Sequence, residues 1–277
     1  MLLQYLRDWQ PFKIDALGIV TLLGAEEMNL ALGSLIKYRF TEYLPLLGAY
    51  VVANNNIMAP KPGFVLYNVS DGIMAIDVAG WFCRWLLSQQ ISWNSTSLHF
   101  TSVDKKPIVS FWSRLLALRG LGIGTVTIGA MTTIALLSND WWAFANAVSM
   151  FVSVVTRQIM TREARAGIDR VIQGLQGRKS AERPCKALVL TPSGAAVTIY
   201  APRGIITDVL LTNPSPPHGR LYQCARIMGW AGFGCHVVTL GMSSLANQII
   251  AVVALLMSSI LTAYEAGSDP WHIGSGD

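Results

Sequence analysis

The chain has 277 residues, 52% hydrophobic and only 13% charged, with a mean hydropathy of +0.42, against about 25% charged residues in ordinary soluble domains. That balance argues against a water-soluble globule, and the four cysteines, Cys83, Cys185, Cys224 and Cys235, have no paired spacing that would make a disulfide scaffold. The net charge is +5, yet the basic residues gather between apolar blocks, as in loops facing an anionic leaflet, and not along a groove that tracks nucleic acid. The class these numbers predict is an all-α transmembrane helical bundle of seven spans, four of them clear, with a small cytoplasmic α+β insert.

In chain order, the run LGIVTLLGA before Glu26 has the length of a signal-peptide core. Asp8, Pro11, Asp15 and Leu23 are wrong for a cleaved signal, so an uncleaved anchor or first span is expected. Ile14 to Ile36 is interrupted by Glu26 and Glu27, and reads either as a span with one acid facing the bundle or as an interfacial helix with both acids in water. Tyr43 to Ala59 and Phe64 to Leu87 are long enough to cross about 30 Å of hydrocarbon, with APKPG (Ala59 to Gly63) as the turn between them. Asn54, Asn55 and Asn56 read as a helix terminus. Gly120 to Leu137 and Trp141 to Val155, separated by Ser138, Asn139 and Asp140, form an antiparallel hairpin, and Gly120 and Gly124 make a GxxxG packing face. Ile227 to Leu245 and Ile249 to Tyr264 form a second hairpin, turning at Ala246 to Gln248.

From Arg157 to Arg226 there are eleven Lys or Arg against four acids, a surplus of seven, which places this loop in the cytoplasm. Within it Thr161 to Leu175 continues as an amphipathic helix, with Ile168, Val171, Ile172 and Leu175 on one face. Ala187 to Leu190, Ala196 to Tyr200 and Ile205 to Leu211 predict a small β-meander, and NPSPPH (Asn213 to His218) a stiff linker. The organisation is then a membrane region over 1–156, a basic loop over 157–226, a transmembrane hairpin over 227–264 and a polar tail over 265–277. The sequon at Asn94 would need a lumenal position and conflicts with the charge count, which carries more weight.

No GxGxxG, P-loop, HExxH, GxSxG or CxxC motif occurs, so no cofactor and no metal are expected. The residues best suited to intramembrane proton handling are the acids Asp71, Asp77 and Glu26, since a carboxylate at mid-bilayer costs about 2.5–3.5 kcal/mol and needs a partner or a water pocket. For Asp77 the partner at helical spacing is Arg84. His236, mid-span beside Cys235, reads as a core histidine bonded by Thr239 or Ser243. Trp81/Trp85, Trp141/Trp142 and Trp230 read as interfacial belts.

The stretches NDWWAFANAVSMFVSVVTRQIM and MGWAGFGCHVVTLGMSSLANQIIAVVALLM resemble uncharacterised polytopic integral membrane proteins of filamentous fungi. The resemblance covers the two C-terminal hairpins, about a third of the chain, and implies a membrane class and a fungal origin without any catalytic assignment. The expected function is a multi-pass membrane scaffold or accessory component whose 157–226 loop contacts anionic lipid or a protein partner. The alternatives are an intramembrane acid-initiated cyclase or isomerase taking a small lipophilic ligand, and a transporter.

Overall fold

The computed structural model describes residues 25–35, 43–45, 54–55, 58–89, 91, 96–100 and 111–265. Four long helices dominate: α3 (Phe111–Leu137), α4 (Trp141–Leu175), α5 (Gly219–Met242) and α6 (Leu245–Glu265). Before them come α1 (Ala25–Gly33), β1 (Val65–Asn68), β2 (Ile73–Ala75), α2 (Gly80–Ser88) and β3 (Thr96–His99). Between α4 and α5 lie β4 (Pro184–Leu190), β5 (Ala196–Pro202) and a π-helical turn, Ile205–Leu210.

Among the described residues three helices are long and apolar enough to cross a membrane: Gly120–Leu137 of α3, Trp141–Leu175, and Leu245–Tyr264 of α6. Helix α5 is interrupted by Arg220, Gln223, Arg226 and His236 and is not among them. The four helices share a core of Met131, Ala147, Met150, Leu240, Ala251 and Leu255. Their outer flanks stay apolar and bare, with Val126, Leu137, Val148, Phe151, Val238 and Ile260 all exposed.

Asp140 sets how the two helical hairpins meet. It caps α4 by accepting from the Ala143 amide at 3.1 Å, which satisfies one of the helix's orphan N–H groups. Its second oxygen accepts from the Ser244 amide at 2.8 Å and from Asn247 Nδ2 at 3.0 Å, at the start of α6. One carboxylate therefore sits at two helix N-termini, where the aligned peptide dipoles favour negative charge. Gln248 Nε2 donates to the Ser243 carbonyl at 2.9 Å, at the end of α5. The break thus falls at Ser243–Ser244, before the Ala246 to Gln248 turn read from the sequence, because these side chains cap helix ends on both sides of it.

The opposite end of α4 belongs to a second core. Met160, Ala164 and Ile168 pack with Leu66, Ala187, Val189, Val197, Ile199, Phe82 and Trp85. Here the chain builds a five-stranded sheet in the order β2-β1-β4-β5-β3, antiparallel except for β3 beside β5. β1 pairs with β4 through Leu66 and Val189, and β4 with β5 through Val189 and Val197.

This sheet corrects three expectations. Phe64 to Leu87 is not a span: Gly63 and Gly72 take positive φ, 89° and 68°, which favours glycine and turns the chain on both sides of β1. The strands of 157–226 do not stand alone, since a two-stranded hairpin is marginal in water, and β1, β2 and β3 complete the sheet from outside the loop. Residues 205–210 wind into a π-helical turn instead of a third strand, with Ile206, Val209 and Leu210 buried. Trp81 and Trp85 are not interfacial belts either but are 1% and 4% exposed, and Trp85 stacks on Phe82 with centroids 5.8 Å apart. The continuation of helix through Thr161 to Leu175 is as expected.

Replacing Asp140 by Ala removes a cap and the bonds between the hairpin turns, and should cost about 2–3 kcal/mol in unfolding experiments. Burial alone would raise this carboxyl's pKa, but the bonds from Asn247, Ser244 and Ala143 outweigh it and hold the group below its ordinary value. A depressed folded pKa gives a contribution that is full above the unfolded value of about 3.9 and lost as pH falls through the folded value. Melting temperatures of wild type and Asp140→Ala should therefore converge in acid.

Gly124→Ala tests the packing face, because a Cβ there collides with the Tyr43 carbonyl. It should destabilise by about 1–3 kcal/mol, while Gly122→Ala, which meets nothing within 4 Å, should be neutral or stabilising. The close approach at Gly124 is made by the chain at Tyr43, not by a second long helix.

Candidate functional site: a cleft where the headpiece meets the long helices

Asp71 and Asp77, singled out in the sequence, lie in the loops of a β-hairpin and not on a long apolar helix. Asp71 occupies the turn between β1 and β2, accepts from Asn68 Nδ2 at 2.8 Å and pairs with Arg203 Nε at 2.9 Å. The two partners are partly exposed, the setting in which an ion pair contributes little. Asp77 is exposed in the loop after β2. The helix proposed to carry both within a membrane is a β-hairpin followed by a nine-residue helix. Glu26 lies in the first turn of α1, and its side chain falls outside the described residues. Asn94 and Asn56 lie outside them as well.

Arg84, the expected partner of Asp77, binds elsewhere. It is 2% exposed and donates to Asn29 Oδ1 at 3.1 Å and to the carbonyls of Ala59 and Gly80 at 2.8 Å each. Two more arginines follow the same pattern: Arg157 donates to the Leu44 carbonyl at 2.6 Å and Arg165 to the Leu35 carbonyl at 2.8 Å. All three grip main-chain oxygens of residues 35–80. Burial disfavours the charged form of Arg84 and lowers its pKa, and the planar fork compensates by serving several acceptors at once. Cys83 beside it is a buried thiol pushed up to about 11 by desolvation, which leaves it protonated and a poor nucleophile at neutral pH.

Next to this grip opens a cleft of about 450 Å³, within the size range of small-ligand pockets. Its lining combines polar residues, Asn54, Asn55, Asn213 and Tyr222, with apolar ones, Met58, Ala59, Pro214 and Pro216. The polar groups come from three places in the chain: the turn at 54–55, the linker at 213 and α5 at 222. Asn55 adopts φ 62°, a left-handed conformation asparagine tolerates, and its Oδ1 accepts from the Tyr222 hydroxyl at 2.6 Å. Asn213 accepts from the Gly80 amide at 2.9 Å, which ties the linker to the first turn of α2. The linker is further fixed by Glu163, which accepts from the His218 amide at 2.9 Å, and by Gly167, where a Cβ would come within 2.7 Å of the Ser215 carbonyl. Tyr222 is buried, which pushes its phenol up, and the Arg226 charge pulls partly the other way. It stays protonated near neutral pH and is a donor.

A second polar feature lies in the seam between α4 and α5. Buried residues recur on α4 at Asn146, Ser149, Ser153 and Thr156, and on α5 at Gly229, Gly232, His236 and Thr239. Gly232 faces this row, since a Cβ on it would stand 3.6 Å from Ser153 Oγ. The hydroxyls expected to serve His236 bond elsewhere, Thr239 to the Cys235 carbonyl at 2.7 Å and Ser243 to the Leu240 carbonyl at 3.0 Å. Among the described residues neither ring nitrogen of His236 nor Asn146 Oδ1 has a hydrogen-bond partner. No group of three or more His, Cys, Asp or Glu able to hold a metal occurs among the described residues.

No family model, curated protein or solved structure matches this chain. The arrangement is therefore read on its own chemistry. Sequence reasoning missed the cleft because its members lie in a turn at 54–55, at 213 in the linker and at 222 in α5, and no local spacing joins them. The three successive asparagines were the one visible signal.

Arg84→Lys keeps the charge but loses the fork. With three acceptors to serve from one ammonium, it should lower stability by about 1–3 kcal/mol in thermal or denaturant unfolding, whereas Arg178→Lys at an exposed site should change nothing measurable.

Proposed function

We propose that the chain is a multi-pass membrane protein acting as a scaffold or accessory component, with the sheet-bearing headpiece on the cytoplasmic side. One observation carries this reading: α4 is a single helix of 35 residues whose first half is apolar and whose last half enters the headpiece core. At 1.5 Å per residue it is about 52 Å long, well beyond the roughly 30 Å of a hydrocarbon core. Such a helix projects rigidly from the bilayer and holds the headpiece at fixed height.

The surface supports the same role. Arg162, Arg170, Arg178, Lys179, Arg183 and Lys186 are exposed on the headpiece, the charge sign that stays in the cytoplasm and meets anionic lipid or acidic partners. The β1–β2 hairpin adds exposed apolar residues, Val69 at 59%, Ile73 at 47%, Met74 at 57% and Ile76 at 66%. Apolar side chains gathered at one place on a surface mark an interaction site.

The topology is tested in sealed microsomes with single-cysteine variants. A cysteine at Arg178 should react with an impermeant maleimide added outside, while one at Ser138 should react only after permeabilisation. Reaction of both, or release of the chain by alkaline carbonate, would remove the reading. The scaffolding role is tested by Arg178→Glu/Lys179→Glu/Arg183→Glu in the full chain. Insertion should persist while co-purification of cytoplasmic partners falls at least fivefold.

One observation favours a second reading, an intramembrane enzyme on a lipophilic substrate. The polar seam at His236 and Asn146 provides buried, unsatisfied groups of the type that handle protons. His236→Gln should then change the metabolite profile of cells at constant protein level.

A further inference from the structure

We infer that the cleft bounded by Asn54, Asn55, Asn213 and Tyr222 binds the hydroxylated headgroup of an anionic phospholipid, of the inositol or glycerol type, from the leaflet beneath the headpiece. The inference rests on the membrane reading above and adds the identity of a ligand to it.

Depth is the first argument. Tyr222 stands five residues, about 7 Å, before Ile227, where the apolar stretch of α5 begins. Headgroup regions extend about 5–7 Å beyond each side of the hydrocarbon, so Tyr222, in the lining of the cleft, stands at the outer edge of the headgroup layer. A lipid head can reach it without leaving its leaflet.

The lining is the second argument. The polar part of the lining offers amide and phenol groups and no ionised side chain. Amides both donate and accept, which matches vicinal hydroxyls, each of them also donor and acceptor. A choline or ethanolamine head would bring a cation with no carboxylate in the lining to meet it. Charge is supplied nearby: Arg226 is one turn beyond Tyr222 on the same face of α5, close enough to act on the phenol electrostatically. A phosphate joining a hydroxylated ring to its glycerol backbone would lie on that side.

Rigidity is the third. The walls are held by bonds to elements far apart in sequence, Tyr222 to Asn55 and Asn213 to Gly80. The floor is fixed by Arg84 on the Ala59 carbonyl. A site held in this way loses little freedom on binding, which favours affinity for a small head.

The test uses the full-length chain in nanodiscs, with bound lipid counted by native mass spectrometry. Phosphatidylinositol or phosphatidylglycerol in a phosphatidylcholine background should be retained at least fivefold above its bulk fraction. Asn54→Leu and Tyr222→Phe should each reduce that enrichment at least fivefold, with melting curves confirming that both variants fold. Retention of phosphatidylcholine equal to the anionic lipids, or enrichment unchanged in both folded variants, would overturn the assignment. Displacement of the lipid by water-soluble glycerophosphoinositol at equal concentration would also overturn it, by showing that a free polyol phosphate is the ligand. Incorporation into discs without lipid selectivity defeats this inference alone, whereas failure to incorporate defeats the membrane reading as well.

Discussion

Helix α4 has to satisfy two environments along one axis, and most of the structure follows from how it does so. Its first five turns carry Ala147, Met150 and Val154 toward the neighbouring helices and leave Trp141, Val148 and Phe151 bare. Its last four turns bury Met160, Ala164 and Ile168 beneath the sheet and put Arg162 and Arg170 in water. Because the helix is uninterrupted from Trp141 to Leu175, the two cores cannot rotate independently. The sheet, the linker and the start of α5 are therefore placed relative to the apolar helices by one rigid element.

Where the two environments meet, the chain uses charge that is bound to backbone. Arg157 and Arg165 sit eight residues apart on α4 and donate to the carbonyls of Leu44 and Leu35, while Arg84 from α2 reaches Ala59. Burying a guanidinium costs several kcal/mol unless hydrogen bonds replace its water. Main-chain oxygens of an irregular segment carry the complementary need, since unpaired carbonyls are also costly. Each group resolves the other's deficit. An acid in place of the carbonyls would supply Coulomb attraction, but it would add a second charge to desolvate.

The sequence shows the long apolar helices clearly, because an uncharged 18-residue stretch of high mean hydropathy has few other interpretations and Ser138-Asn139-Asp140 is an evident turn. It also shows the amphipathic end of α4 through Ile168, Val171, Ile172 and Leu175. Residues 64–87 mislead because hydropathy averages over side chains and ignores backbone. Leu66, Trp81, Phe82 and Leu86 are apolar for the sake of a headpiece core, and Gly63 and Gly72, which break the segment into turns, are themselves neutral in such an average. The tryptophans divide in the same way. Trp141, Trp142 and Trp230 are exposed on the long helices, while Trp81 and Trp85 fill the core, and only the company of Phe82 and Phe100 distinguishes the second pair. The cleft is less legible still, since it depends on which loops α4 brings together.

The location of the β1–β2 hairpin bears on what its apolar residues can touch. Asp71 in its turn pairs with Arg203, and the adjoining Gly204 packs against Leu175, the last residue of α4. Leu175 is 18 residues beyond Arg157, about 27 Å along the helix. The hairpin turn, with Val69, Ile73 and Met74, is thus at the end of α4 remote from the apolar helices. Their exposure is separate in space from that of Phe151 and Ile260 on the long helices. Lys186 and Arg203 stand beside the hairpin, and this distance separates the exposed apolar residues of the headpiece from the apolar flanks of the long helices.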